Sequence, residues 1–179
     1  MYKVIPDLLS LSRLGLAFVL LLTEPLSPTF LFIFFVCGLT DVLDGLAARR
    51  LDACTEHGSA IDSVADIVLF VILLYCVVSV VNWETWMVIW IVAIAVLRII
   101  AFGIGSVKYR RPAFVHTYLN KAAGALLFLT PFLLVIIGTP VTIVIVCCVT
   151  SVSSAEYLYI NITSNHYDPD LTTAFVRTH

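Results

Sequence analysis

"DVLDGLAARRLDACTEHGSAIDSVAD", residues 41–66, sets six carboxylates (Asp41, Asp44, Asp52, Glu56, Asp62 and Asp66) against two arginines, Arg49 and Arg50. On both sides of it the chain is strongly apolar. An acidic side chain inside hydrocarbon is expensive, and it persists where it has a counter-charge or a task. Asp41 and Asp44 are three residues apart, and Asp62 and Asp66 are four apart. On helices, those spacings place each pair on one face. The fold therefore turns on what brings two acid pairs to one depth.

Composition supplies the frame. The 179 residues are 61% hydrophobic and 12% charged, with a mean hydropathy of +1.06. A soluble domain carries about 25% charged residues. This chain is expected to be an integral membrane protein with one domain. Its net charge of −2 says little, because where the charges fall matters more. The five cysteines (Cys37, Cys54, Cys76, Cys147 and Cys148) have no metal-like spacing. Most sit in apolar runs, where a thiol behaves as a small hydrophobe. The first apolar run contains Arg13 and lacks a clear small-residue cleavage site, so it reads as a retained span and not a leader.

About 20 helical residues cross the hydrocarbon core. Six apolar runs approach that length: 8–23, 28–49, 58–81, 84–105, 117–138 and 140–161. The expected fold is all-α, with six transmembrane helices. Pro25 and Pro28, then Asn82, then Gly138 and Pro140 punctuate three of the connections. Residues 1–163 form the membrane domain in this reading, and 164–179 form a polar tail. Lys3, Arg49, Arg50, Lys108, Arg110, Arg111 and Arg177 all fall on one side of a six-span layout. The opposite connections hold Glu24 and Glu84 but no Lys or Arg. The positive-inside rule then puts both termini and the basic loops in the cytoplasm. A short loop over 50–57 makes the second and third spans antiparallel. Their four aspartates converge just inside the cytoplasmic boundary.

Four carboxylates at that depth repel one another and resist desolvation. Arg49 alone does not balance them. Carboxylate oxygens suit hard divalent cations such as Mg²⁺ or Mn²⁺, and two such ions would neutralise the set and polarise a phosphoryl group. Gly45 and Gly58 lie beside the acids and permit close approach of a ligand or a helix. The Arg49 fork suits a diphosphate, or equally a snorkelling anchor. Asp52 and Glu56 fall in the connecting loop and read as solvated.

Asp41, Asp44, Gly45, Ala48, Arg49, Gly58, Asp62 and Asp66 spell D-x2-D-G-x2-A-R-x8-G-x3-D-x3-D. This resembles the signature of the CDP-alcohol phosphotransferase family, with all eight fixed positions filled. The resemblance implies transfer of a substituted phosphate from a CDP-linked donor, usually CDP-diacylglycerol in bacteria, to a small polar alcohol with release of CMP. It implies that Asp41, Asp44, Asp62 and Asp66 hold two divalent cations, Mg²⁺ or Mn²⁺. Asp66 would also be the general base on the acceptor hydroxyl. Gly45, Ala48, Arg49 and Gly58 would line the CDP pocket. It further implies a homodimer in the cell membrane, with the site facing the cytoplasm and partners that are lipids and not nucleic acid.

The acceptor is read from outside that motif. "IPDLLSLSRLGLAF" and "SSAEYLYI" resemble bacterial phosphatidylglycerophosphate synthases, so glycerol 3-phosphate is the first expectation. "DSVADIV" is closer to phosphatidylserine synthases, which makes serine the second; inositol phosphate and phosphatidylglycerol come after. Arg98 and Lys121, with Arg110 and Arg111, are the candidates to hold an acceptor phosphate. Arg98 and Lys121 rank above the two loop arginines, because a basic residue within a span is expensive. From a different class, a small cation transporter would also place acids in a membrane. Clustering of all four acids at one boundary argues against a path across it.

Overall fold

The computed structural model describes residues 4–51, 56–111, 113 and 117–164, with side chains described for 12–40, 65, 67–111, 113 and 117–164. It holds six helices: α1 (Val4–Leu20), α2 (Pro28–Leu51), α3 (Glu56–Val80), α4 (Thr85–Tyr109), α5 (Tyr118–Ile137) and α6 (Thr139–Thr163). Every expected apolar run is helical, with ends displaced by a few residues. The chain divides into two compact units, Met1–Val81 and Asn82–His179.

In the first unit, α1 packs against both α2 and α3. Its last turn tightens through bonds from the amides of Leu21, Leu22 and Thr23 to carbonyls three residues back. This is an ordinary way to finish a helix. The next helix starts by local rules. Ser27 Oγ accepts from Phe30 N at 3.2 Å, and Pro28 opens α2 where its missing N–H does no harm. Ala17, Leu20, Phe30, Phe34, Cys37 and Ile72 are buried, and so is Arg13. Arg13 lies within electrostatic reach of Cys37.

In the second unit, α6 is the central helix and packs against both α4 and α5. α4 and α6 run in the same direction. Trp90 Nε1 donates to Ser151 Oγ (3.1 Å), Arg98 Nε to Ser154 Oγ (3.0 Å), and Asn161 Nδ2 to the Ala101 carbonyl (3.1 Å). A single residue, Gly138, joins α5 to α6. Its φ of 81° and ψ of 167° lie in territory open essentially to glycine alone, and Pro140 then starts α6. The buried face of α6 is rich in small polar residues, including Thr142, Thr150, Ser153 and Ser154. Several hydroxyls donate to their own helix: Thr142 to Gly138 O (2.8 Å), Thr150 to Val146 O (2.6 Å) and Ser154 to Thr150 O (2.6 Å).

The pattern of burial is that of a membrane protein. Polar Arg13, Ser153, Ser154 and Asn161 are inside, while large apolar residues such as Leu22, Phe32, Phe70, Ile99 and Ile136 are outside. A soluble protein does not expose so much contiguous apolar surface. Among the described residues three helices, α4, α5 and α6, are long and apolar enough to cross a bilayer. The remaining apolar stretches are shorter: Pro28–Thr40 in α2 and Ile67–Val80 in α3. Apart from Ala65, these two stretches are the parts of α2 and α3 whose side chains are described. α1, at 17 residues, is about 26 Å long, a little short of a core about 30 Å thick.

Candidate active site

The acidic motif is carried by two consecutive helices. Asp41, Asp44, Gly45, Ala48 and Arg49 belong to the C-terminal half of α2. Gly58, Asp62 and Asp66 belong to the N-terminal half of α3. The backbone is helical through all eight positions, so the three- and four-residue spacings keep their same-face meaning. The side chains of these eight residues lie outside the described residues. Among those described, no group of His, Cys, Asp or Glu is placed to hold a metal ion. Asp52 also lies outside them, while Glu56 opens α3.

The basic residues expected to meet an acceptor fall in the second unit and separate into two kinds. Arg98 is half-buried and surrounded by neutral oxygens. Its Nε donates to Ser154 Oγ (3.0 Å), one terminal nitrogen to Asn120 Oδ1 (3.2 Å), and the other to Ser153 Oγ (3.2 Å). Three helices thus meet at one guanidinium. A guanidinium has five N–H groups, so these three bonds leave one on each terminal nitrogen. The sequence places Arg98 near the basic end of its span, but it lies thirteen residues after Thr85 and eleven before Tyr109, midway along α4. Lys121 is exposed in the first turn of α5, with its ammonium 5.9 Å from the centre of the Tyr118 ring. Arg110 and Arg111 are exposed just past the end of α4. Arg110 is its left-handed cap, with φ 54° and ψ 32°.

The sequence reading missed the partners of Arg98. Ser153 and Ser154 sit in "TSVSSAEY", an unusual density of hydroxyls for a span, and Asn120 directly precedes Lys121. Those are the signals that point to them. Lys108 also has a specific place. Its Nζ donates to the carbonyls of Asn161 (3.2 Å) and Ile162 (2.7 Å). This meets the negative end of the α6 dipole.

Comparison with known proteins places the chain in a family. Residues 3–154 match the family model described as CDP-alcohol phosphatidyltransferase. The chain is 47% identical over 72 residues to a cardiolipin synthase (CMP-forming) of Rattus norvegicus, covering 38% of this chain and 24% of that protein. It is 44% identical over 72 residues to the Homo sapiens protein of the same description, with the same coverage. The matched stretch thus spans about a quarter of the length of these curated relatives. No solved structure matches the chain.

Proposed function

This chain belongs to the CDP-alcohol phosphatidyltransferase family, and on that premise we propose that it moves a phosphatidyl group from CDP-diacylglycerol to an alcohol, releasing CMP. The observation that carries the reading is the complete eight-position motif, held on α2 and α3 inside the matched region. Family membership favours this enzyme over the cation-transporter alternative.

In the proposed mechanism the aspartates have distinct tasks. Asp41, Asp44, Asp62 and Asp66 form an all-oxygen donor set that fits two hard divalent cations, Mg²⁺ or Mn²⁺. Such cations, when bound, supply positive charge against the donor's diphosphate. Gly45, Ala48, Arg49 and Gly58 line the CDP pocket. Asp66 accepts the proton of the acceptor hydroxyl as its oxygen attacks the lipid-bearing phosphorus. A new P–O bond forms there, the bond to CMP breaks, and Asp66 returns the proton to solvent. Arg98 and Lys121, with Arg110 and Arg111 in support, hold the acceptor's phosphate. The site faces the cytoplasm in a six-span homodimer of the cell membrane, a placement supported by the one-sided basic loops.

The acceptor is proposed to be a glycerol phosphate. The sequence places glycerol 3-phosphate first. Similarity to CMP-forming cardiolipin synthases moves phosphatidylglycerol ahead of it. Cardiolipin carries two phosphatidyl groups on one glycerol, so making it with release of CMP requires phosphatidylglycerol as the alcohol. The test is a panel of acceptors. Purified protein is given CDP-diacylglycerol, Mg²⁺ or Mn²⁺, and one of phosphatidylglycerol, glycerol 3-phosphate, serine or inositol phosphate. CMP and the lipid product are then measured. CMP should appear with a glycerol phosphate and not with serine. Absence of CMP with every acceptor would overturn the reading.

A further inference from the structure

Arg98 lies eleven residues before the end of α4, about 16 Å back along its axis. Asn120, in the first turn of α5, nevertheless reaches it at 3.2 Å. The first turn of α5 therefore lies well back along α4 and not beside its end. Of the described residues connecting α4 to α5, Arg110 and Arg111 are exposed, whereas Ala113 and Thr117 are 0% and 2% exposed. Backbone polar groups buried beside apolar spans need partners within the protein.

α6 supplies one such partner, and α4 supplies the space. Tyr157 donates its hydroxyl to the Ala113 carbonyl at 2.6 Å. The Ala113 methyl packs where α4 has no side chain. A Cβ on Gly105 would lie 2.6 Å from Ala113 Cβ and 2.5 Å from Asn161 Oδ1. Asn161 is fully buried, with its amide donating to Ala101 O at 3.1 Å. Further along the connection, Thr117 Oγ1 accepts from Asn120 N at 3.1 Å and caps α5. The capped residue is the one that accepts from Arg98. Tyr157 thus holds Ala113, and Thr117, Asn120 and Arg98 are linked four residues further on.

We propose that Tyr157, Asn161 and Gly105 clasp Ala113, fix the depth at which α5 begins, and so position Asn120 and Lys121 against Arg98 to receive the acceptor. They are positioning residues and do not touch substrate. The inference rests on the reading of Arg98 and Lys121 as the acceptor side. It adds three residues that neither the motif nor the basic charges identify. Tyr157 and Asn161 act through the start of α5, while donor binding belongs to the motif on α2 and α3.

The test uses the full chain with Tyr157→Phe, which removes one hydroxyl, and Gly105→Ala, which fills the cradle. Two measurements are made on each. One is steady-state kinetics with acceptor and donor varied separately; the other is amide hydrogen exchange of the peptide covering 112–121. Tyr157→Phe should raise the acceptor KM about fivefold, leave the donor KM within about twofold, and speed exchange in that peptide. Gly105→Ala should do the same more strongly, since Ala113 and Asn161 must both shift. A donor KM rising in step with the acceptor KM would overturn the proposal. So would unchanged exchange over 112–121 in Tyr157→Phe. If the unaltered protein turns over no acceptor, the functional reading falls, and exchange alone decides whether the clasp exists.

Discussion

The two units handle charge in opposite ways. In the first, four of the five aspartates within 26 consecutive residues fall into two pairs, and the spacing of each pair puts it on one face of a helix. In the second, one guanidinium is met by three neutral oxygens from two other helices, across sequence separations of 22 to 56 residues. The first arrangement concentrates like charge and requires something positive from outside. The second spreads a single positive charge over dipoles and leaves part of it available. In the proposed reaction the first would gather cations and the second would attract an anion.

If the acids are the chemical half, the largest effect comes from Asp66→Asn. Turnover should fall about 10²- to 10⁴-fold, the usual range for loss of a general base, while CDP-diacylglycerol still binds. CMP release and donor binding measured on one preparation check this, and full activity in the variant would remove Asp66 from its role. Next comes the guanidinium. Arg98→Ala should lower kcat/KM for the acceptor about 10- to 100-fold, from loss of a charge-assisted bond, with the donor KM little changed. An equal loss for both substrates would erase the division of labour. A smaller effect tests whether neutral bonds in the second unit matter away from Arg98. Ser151→Ala deletes the acceptor of Trp90 Nε1. Thermal unfolding in detergent should show a loss of about 0.6 kcal/mol, typical for such bonds between membrane helices, with kinetics unchanged. The smallest effect belongs to Asp52→Asn. Activity should stay within about twofold, because the sequence reads Asp52 as a solvated loop acid and such a group contributes little. A large loss there would mean that the acidic stretch works as a whole and not through four members.

The same contrast governs what the sequence reveals. Helix locations followed from hydrophobic run length alone, because bilayer thickness sets that length. The acidic motif was legible as a motif because its residues recur at fixed short spacings, and its backbone lies on α2 and α3. Arg98 was legible as a costly charge within a span, but its surroundings were not. Ser153, Ser154 and Asn120 become its partners through packing of α4, α5 and α6, and no local spacing announces that. The return of the chain to Asn120 was invisible for a related reason. "RRPAFVHT" reads as an ordinary loop, and only the burial of Ala113 and Thr117 and the fit of Ala113 against Gly105 show that these residues are packed inside the second unit.

The hydroxyls that α6 returns to its own backbone bear on the order of assembly. Thr142, Thr150 and Ser154 donate to carbonyls within the same helix. Those donors are therefore satisfied before any neighbour arrives. A helix with so many polar groups would otherwise stall at the lipid boundary while waiting for partners. α6 can enter the membrane as a separate rod and then offer the same hydroxyl oxygens as acceptors. Ser154 does both, donating to Thr150 O while accepting from Arg98. Insertion and assembly thus draw on different faces of one oxygen atom, and α4 can recruit its binding partners after all three helices are already in the bilayer.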